Sequence, residues 1–457
     1  MKILQVAHLF VPETSGGTEV HTHLLSKALQ PRHQVAVYYR IFDKHAEEHA
    51  LQRDTYDGLT VYRLVNNFTW SQGPDFDHFD PGQEPQFEAV LEREQPDLVH
   101  FQHLGGGLST SLPAVARRHG LPTVLTLHDY WPMCHRSHLL TARNQLCPGP
   151  EGGLRCAQCW LDGAVEQRIS VPHRVREVGV RNALRMAPRF VLDSLGLREY
   201  LPPVAYQTTR LMARDTYMRQ VLSQSDALLA PSRFLRGRYI DWGLPADRIT
   251  FVQNGIDPTK FDGLDRALPN GPLLRAVYMG SILGHKGLDV LIDAFNLLTD
   301  APVELAIYGN TNGNHAIKQY ADALRARNSN SRVTFKGPFA NHDLGAVLTP
   351  ADVVIVPSIL YENCPMVIQE AFYARRPVIA SDIGGMAELV QDGVNGLTFR
   401  AGDAAHLAEQ VRLLAQDRER LLALQSAITA PATMETVAAA VERVYRRLTD
   451  ARAAGQG

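Results

Sequence analysis

The stretch from Ala351 to Phe399 constrains this chain more than any other part of it. Val353 to Val356 is a short, continuous, β-branched apolar run stopped by Pro357 and Ser358, the pattern of a strand buried on both faces of a parallel sheet. A loop from Tyr361 to Pro365 follows. Met366 to Ala374 then places Val367, Ala371 and Ala374 at helical spacing, with Pro365 suited to a first helical position. Open α/β sheets bind ligands where a strand's carboxyl end faces a helix start, because free N–H groups and the helix dipole favour an anion there. Glu362 lies just before this helix and Glu370 in its second turn. Two carboxylates would repel a pyrophosphate. They fit hydrogen bonds from hydroxyls, which sugars and riboses offer in vicinal pairs.

The pattern continues with Arg376-Pro-Val-Ile-Ala380, Gly384-Gly385 with Glu388, and Gly393-Val-Asn-Gly396. As a set, these residues resemble the C-terminal donor site of the family 4 retaining glycosyltransferases of the GT-B fold, the glycogen synthase and mannosyltransferase-like superfamily. The resemblance implies an α/β architecture of two Rossmann-like, doubly wound domains facing each other across a cleft. Residues 1–253 would form the acceptor-side domain, with an insertion at about 130–224, and 254–430 the nucleotide-sugar domain. Residues 431–457 would be a terminal helix returning to the first domain. The implied reaction moves a sugar from a UDP- or GDP-type nucleotide diphosphate sugar to the hydroxyl of a saccharide or lipid-linked acceptor, in cell-surface polysaccharide or glycolipid synthesis. No cofactor is implied for the chemistry. Nucleotide-sugar epimerases and sugar phosphorylases share the architecture, and a nucleotide-binding scaffold without turnover is a third reading.

Carried onto this chain, the resemblance places Glu370 at the ribose. Glu362 and the backbone from Asn363 through Cys364, Pro365 and Met366 to Val367 would meet the hexose, and Phe335 and Gly337 the nucleobase. Lys286, at the start of a predicted helix, would neutralise the leaving diphosphate. Many relatives carry an arginine five residues earlier; here that position is Ser281, so one expected cation is missing. Gly16 and Gly17, between a first strand at Ile3–Ala7 and a helix from about Thr18 to Leu29, match the loop that closes over the diphosphate or admits the acceptor. His128, followed by Asp129 at the end of the strand Pro122–Leu127, matches the family's histidine near the reacting sugar.

The remaining features are read from the residues themselves. A chain of 457 residues has room for two domains with cores of their own. A net charge of -2 offers no general attraction to nucleic acid. Met1 to His8 reads as a strand and not a signal peptide, and no stretch approaches the ~20 apolar residues of a membrane span, so a cytoplasmic protein is expected. Asp75-Phe-Asp77 looks like a metal-holding carboxylate pair, but its polar loop setting favours solvated acids. Cys134, Cys147, Cys156 and Cys159 fall in one Gly/Pro-rich loop. Their spacing suits a structural zinc site, with His135 or His138 as substitute ligands; an iron–sulfur cluster or four ordinary thiols are the alternatives. Between Val165 and Leu222, ten arginines face five acids, and Arg181, Arg185 and Arg189 share a helix face. Such helices suit peripheral contact with an anionic membrane face or a phosphate-bearing acceptor.

Overall fold

The computed structural model describes residues 1–14, 16–69, 78–151, 153–169 and 203–455. Asp75 and Asp77, and Arg181, Arg185 and Arg189, lie outside them. The first sheet contains β1 (Lys2–Ala7), β2 (Gln34–Ile41), β3 (Leu51–Tyr56), β4 (Leu59–Val65), β5 (Leu98–Phe101), β6 (Thr123–Thr126), β7 (Ala227–Ala230) and β8 (Ile249–Phe251), in the order β3-β4-β2-β1-β5-β6-β7-β8. All its pairings are parallel except the β3–β4 hairpin. The β3 strand escapes a periodicity reading because four of its six residues are exposed and polar at the sheet's edge. By contrast β5, β6 and β7 are buried at every residue, as strands covered by helices on both faces must be.

The second sheet is parallel throughout: β9 (Leu274–Met279), β10 (Val303–Tyr308), β11 (Val333–Gly337), β12 (Val353–Val356), β13 (Val378–Ser381) and β14 (Gly396–Phe399), ordered β11-β10-β9-β12-β13-β14. In each sheet the winding reverses beside the first strand, at β1/β5 and at β9/β12. The crevices outside those strand ends are where such sheets take ligands.

Two chain crossings join the halves side by side. The Ile256 N–H donates to the Ala432 carbonyl at 3.0 Å, and the Met434 N–H donates to the Ile256 carbonyl at 2.9 Å. A Cβ at Gly255 would lie 2.7 Å from Met434 Cα, so glycine is what lets the strands approach. The terminal helix Met434–Gly455 then packs Val437, Ala438, Val441 and Tyr445 into the core built on Ile3, Leu25, Leu29 and Val37. Between β14 and the terminal helix lie two further helices, Ala404–Gln416 and Arg418–Ala427. The break falls at Asp417, whose carboxylate accepts from Arg420 N–H and so caps the second helix.

Arg376, part of the motif that pointed to a donor site, is a structural residue. It is fully buried and donates to the carbonyls of Leu348 at 2.9 Å, Arg266 at 2.9 Å, Asp265 at 2.6 Å and Thr349 at 3.1 Å, tying the loop at 265–266 under the sheet. Arg376→Leu would remove the donors of four carbonyls, that of Leu348 in a buried bond and the others part-buried, and should destabilise the protein by ~3–5 kcal/mol. Denaturant unfolding checks this; a loss under about 1 kcal/mol would contradict the role.

Candidate functional site

Close backbone approaches shape the carboxyl end of the second sheet, from which side chains reach the first. Gly287, at φ +73°, lies so near the end of β12 that a Cβ there would fall 1.9 Å from the Pro357 carbonyl oxygen. A Cβ on Gly385 would fall 1.7 Å from the Asn363 carbonyl oxygen, and the Gly385 N–H donates to the Glu362 carbonyl at 2.7 Å. The Gly384-Gly385 pair is therefore what seats the loop at 361–365. From that loop, the Asn363 side chain reaches the first sheet. Its Nδ2 donates to the His128 carbonyl at 2.7 Å, and its Oδ1 accepts from the Ser232 hydroxyl at 2.8 Å. Glu388 adds a second bridge, accepting from the Arg233 and Phe234 N–H groups at 3.0 and 2.9 Å at the start of the helix Arg233–Asp241.

Between these bridges lies a cleft of about 430 Å³. Of the residues singled out in the sequence, Gly17, His128, Ser281, Lys286, Glu362, Asn363, Cys364, Pro365, Met366 and Val367 line it. Thr18, Asn254, Tyr278 and Ser358 also line it; of these the sequence marked Ser358 as the end of a strand and Thr18 as the start of a helix. Gly16, Phe335, Gly337 and Glu370 do not. Gly16 sits under the Glu19 carboxylate, which lies back over the start of the helix Gly17–Leu29. Phe335 packs against the second core with the Arg325 guanidinium 5.2 Å from its ring centre. Gly337, at the end of the edge strand β11, accepts from Gly309 N–H.

Lys286 and Glu362 form the central polar contact of the cleft. Nζ lies 2.6 Å from Oε1, which also accepts from the Ser358 hydroxyl at 2.8 Å. Burial alone would raise the Glu362 carboxyl, but Lys286, Ser358 and His285 outweigh it and hold its pKa below the ordinary value. Glu370 is the opposite case. Burial raises its carboxyl despite Lys260 at 3.6 Å. Lys260 was missed because nothing in its surroundings marks it; it is brought to Glu370 by the turn after the chain crossing, Pro258–Phe261.

The histidines around the cleft are held neutral. Burial pushes His21 down to about 4, and His128 lies well below its usual value through burial and the neighbouring imidazoles of His21, His103, His100 and His8. His285, pushed down to about 4 by burial, Lys286 and His138, cannot supply the charge missing at Ser281. Its ring meets that of His138 edge-on at 5.4 Å, which brings the cysteine-bearing loop against the donor side of the cleft.

The expected metal centre is corrected. Among the described residues, no group of three or more His, Cys, Asp or Glu is placed to hold a metal ion. All five cysteines are free. Cys134 and Cys147 pack against the first sheet's core, while Cys156 and Cys159 lie on the helix Leu154–Ile169. Burial raises the thiols of Cys134, Cys156 and Cys159, Cys156 to about 12, so they stay protonated and behave as small apolar groups. Cys364, likewise raised to about 12 by burial, accepts from Gln369 Nε2. No helix among the described residues is long and apolar enough to cross a membrane.

Comparison with known proteins agrees with this layout. The family described as Glycosyltransferase Family 4 matches residues 15–201 and 200–260, and Glycosyl transferases group 1 matches 274–417. D-inositol 3-phosphate glycosyltransferase of Nocardia farcinica is 31% identical over 227 residues, 46% of this chain and 49% of its own. Glycogen synthase of Mycobacterium tuberculosis is 29% identical over 232 residues, 49% of this chain and 55% of its own. These matches span about half the length of each relative. The structure of Anabaena HepE, solved in complex with UDP and glucose, superposes with a TM-score of 0.61 over 97% of this chain and 99% of that one, at 16% identity, a likeness of GT-B fold.

The neutral imidazoles carry a consequence for stability. In the unfolded chain His21, His100 and His285 take up protons near pH 6.5, whereas in the folded protein burial holds them at about 4, about 3 and about 4. The unfolded state thus binds more protons between those values, and stability is lost as pH falls through that window. Melting temperature should drop steadily from pH 7 to pH 5, above the carboxylate range; a flat profile would contradict the burial of these groups.

Proposed function

The chain belongs to glycosyltransferase family 4, and from that premise we propose that it moves a sugar from a nucleotide diphosphate sugar to an acceptor hydroxyl with retention of the anomeric configuration. The observation that carries this reading is the Lys286–Glu362 pair, set 2.6 Å apart at the mouth of the helix Met366–Tyr373. A diphosphate entering there exchanges with Glu362 for the Lys286 ammonium and meets the free N–H groups of Met366 and Val367. Charge that builds on the leaving phosphate as the sugar bond breaks is then offset by groups already in place. Glu362, released from the pair and still beside the Ser358 hydroxyl, accepts hydrogen bonds from the hexose hydroxyls. With Ser281 uncharged and His285 neutral, Lys286 and the backbone N–H groups carry the diphosphate.

Glu370, beside Lys260, takes the ribose diol, and the end of β11 at Phe335–Gly337 takes the base. The loop at Gly16–Gly17 serves the acceptor and not the diphosphate, because the Glu19 carboxylate folded over that helix start would repel an anion. His128 meets the transferring sugar from the first sheet. UDP, bound by the Anabaena neighbour, is the first nucleotide to test. The acceptor is a saccharide or lipid-linked saccharide of a cell-surface polysaccharide or glycolipid, with the basic stretch of 165–222 proposed to meet an anionic membrane face.

Three measurements test this. UDP or GDP at 100 times its dissociation constant should stabilise the protein by about 2.7 kcal/mol, equally with and without EDTA; a shift with neither nucleotide, or one abolished by EDTA in folded protein, would overturn the donor site. Glu370→Ala should weaken nucleotide binding roughly tenfold or more, and Lys286→Ala should lower kcat by ~100-fold or more. Unchanged nucleotide affinity in the first, or unchanged kcat in the second, would remove that residue from the mechanism.

A further inference from the structure

Behind His128 runs a chain of buried side chains that the donor-site reading does not use. Gln5, His100, Gln102 and Tyr445 are all fully buried, and Tyr445 comes from the terminal helix that returns across the molecule. His128 Nε2 lies 3.1 Å from Gln102 Oε1, and Gln102 Nε2 donates to Gln5 Oε1 at 2.9 Å. Gln5 Nε2 in turn donates to the Tyr445 hydroxyl at 3.3 Å, which lies 2.6 Å from His100 Nδ1. His100 Nε2 closes the chain on the Thr126 hydroxyl at 2.8 Å.

These contacts fix one another's direction. A tyrosine hydroxyl that accepts from Gln5 has its own proton for His100 Nδ1, which leaves the one N–H of the neutral His100 ring on Nε2, facing Thr126. Each amide that donates with its nitrogen must accept with its oxygen, so Gln102 presents an acceptor to His128 Nε2. A neutral imidazole has one N–H, and here it belongs on Nε2. Turning the Gln5 and Gln102 amides over would instead present a donor to His128 Nε2 and move the His128 proton to Nδ1.

We propose that Tyr445, Gln5 and Gln102 are positioning residues that fix His128 as the Nε2–H tautomer, leaving Nδ1 as the acceptor for a hydroxyl of the transferring sugar. The role of His128 toward the sugar rests on the transferase reading; the tautomer does not. The network gives the returning helix a part in the reaction. A hydroxyl contributed near the end of the chain sets the proton on a ring at the carboxyl end of β6, so the docking of residues 434–455 and the state of the cleft are coupled through side chains that touch no substrate.

Nitrogen-15 NMR of histidine-labelled full-length protein, with His128→Asn to assign the signal, reads the tautomer directly. The wild type should show Nε2–H, and Gln102→Leu and Tyr445→Phe should each give a mixture with Nδ1–H. The same variants should lose kcat by roughly tenfold while nucleotide affinity stays unchanged, since neither residue lines the donor side. Tyr445→Phe removes one oxygen and keeps the test available if Gln102→Leu does not fold. A wild-type Nδ1–H signal, a tautomer indifferent to both changes, or parallel losses of kcat and nucleotide affinity would overturn the proposal. The predicted tautomers in a protein that transfers no sugar would uphold the network and overturn the transferase reading instead.

Discussion

Two side chains, the Asn363 amide and the Glu388 carboxylate, tie the two halves of this molecule together at the carboxyl ends of their sheets. Asn363 projects from the loop after β12 and binds the first sheet at the ends of two strands, through the His128 carbonyl after β6 and the Ser232 hydroxyl after β7. Glu388 repeats the arrangement by capping the helix Arg233–Asp241 from the other sheet. Both residues reach across because Gly384 and Gly385 let the chain beneath them approach the backbone of Glu362 and Asn363 more closely than any side chain allows. At the opposite end, Ile256 and the segment 432–434 pair where the chain crosses and returns. The cleft is thus framed by backbone-directed contacts. That leaves Lys286 and Glu362 inside it bonded to each other and to Ser358, and available to a ligand that offers both charges a better partner.

The two glutamates of the motif show how environment separates identical side chains. Glu362 has an ammonium and a hydroxyl within hydrogen-bond distance and is held as a carboxylate despite burial. Glu370, with one lysine at 3.6 Å, does not fully recover what burial takes and its pKa rises. A carboxylate already neutralised can be exposed to a sugar without attracting a second cation, and a buried carboxyl of raised pKa is better suited to neutral hydroxyls than to a phosphate. The neutral His128 imidazole lines the facing wall, so positive charge in the cleft is concentrated at Lys286.

Much of the fold was legible because its central strands are buried on both faces and therefore written as unbroken apolar runs: β12 begins and ends where the sequence places it, and β1 and β6 lie within one residue of their expected bounds. The edge strand β3 was not, since exposure frees its residues from any pattern. Nor was the break at Asp417, where a cap interrupts a run of good helix formers. At the site, residues clustered in sequence around 362–367 came together in space, as did the more distant His128, Lys286 and Ser281. What the motif could not convey was the division of labour within it. Arg376, Gly385 and Glu388 belong to the frame and not to the ligand. Lys260 and the network behind His128 depend on chain crossings that no local window contains. The cysteine spacing misled because four thiols near one another in sequence need a common centre to hold a metal, and no such group is placed among the described residues.

The account stands or falls on where the donor's phosphates go. A crystal structure of the protein with UDP or the nucleotide that stabilises it best would decide this directly. The account predicts the diphosphate at the start of the helix Met366–Tyr373, within hydrogen-bond distance of Lys286 Nζ, with the Lys286–Glu362 contact lengthened beyond the 2.6 Å of the free protein. A diphosphate seated instead at the Gly16–Gly17 helix start, with Lys286 still paired to Glu362, would contradict it.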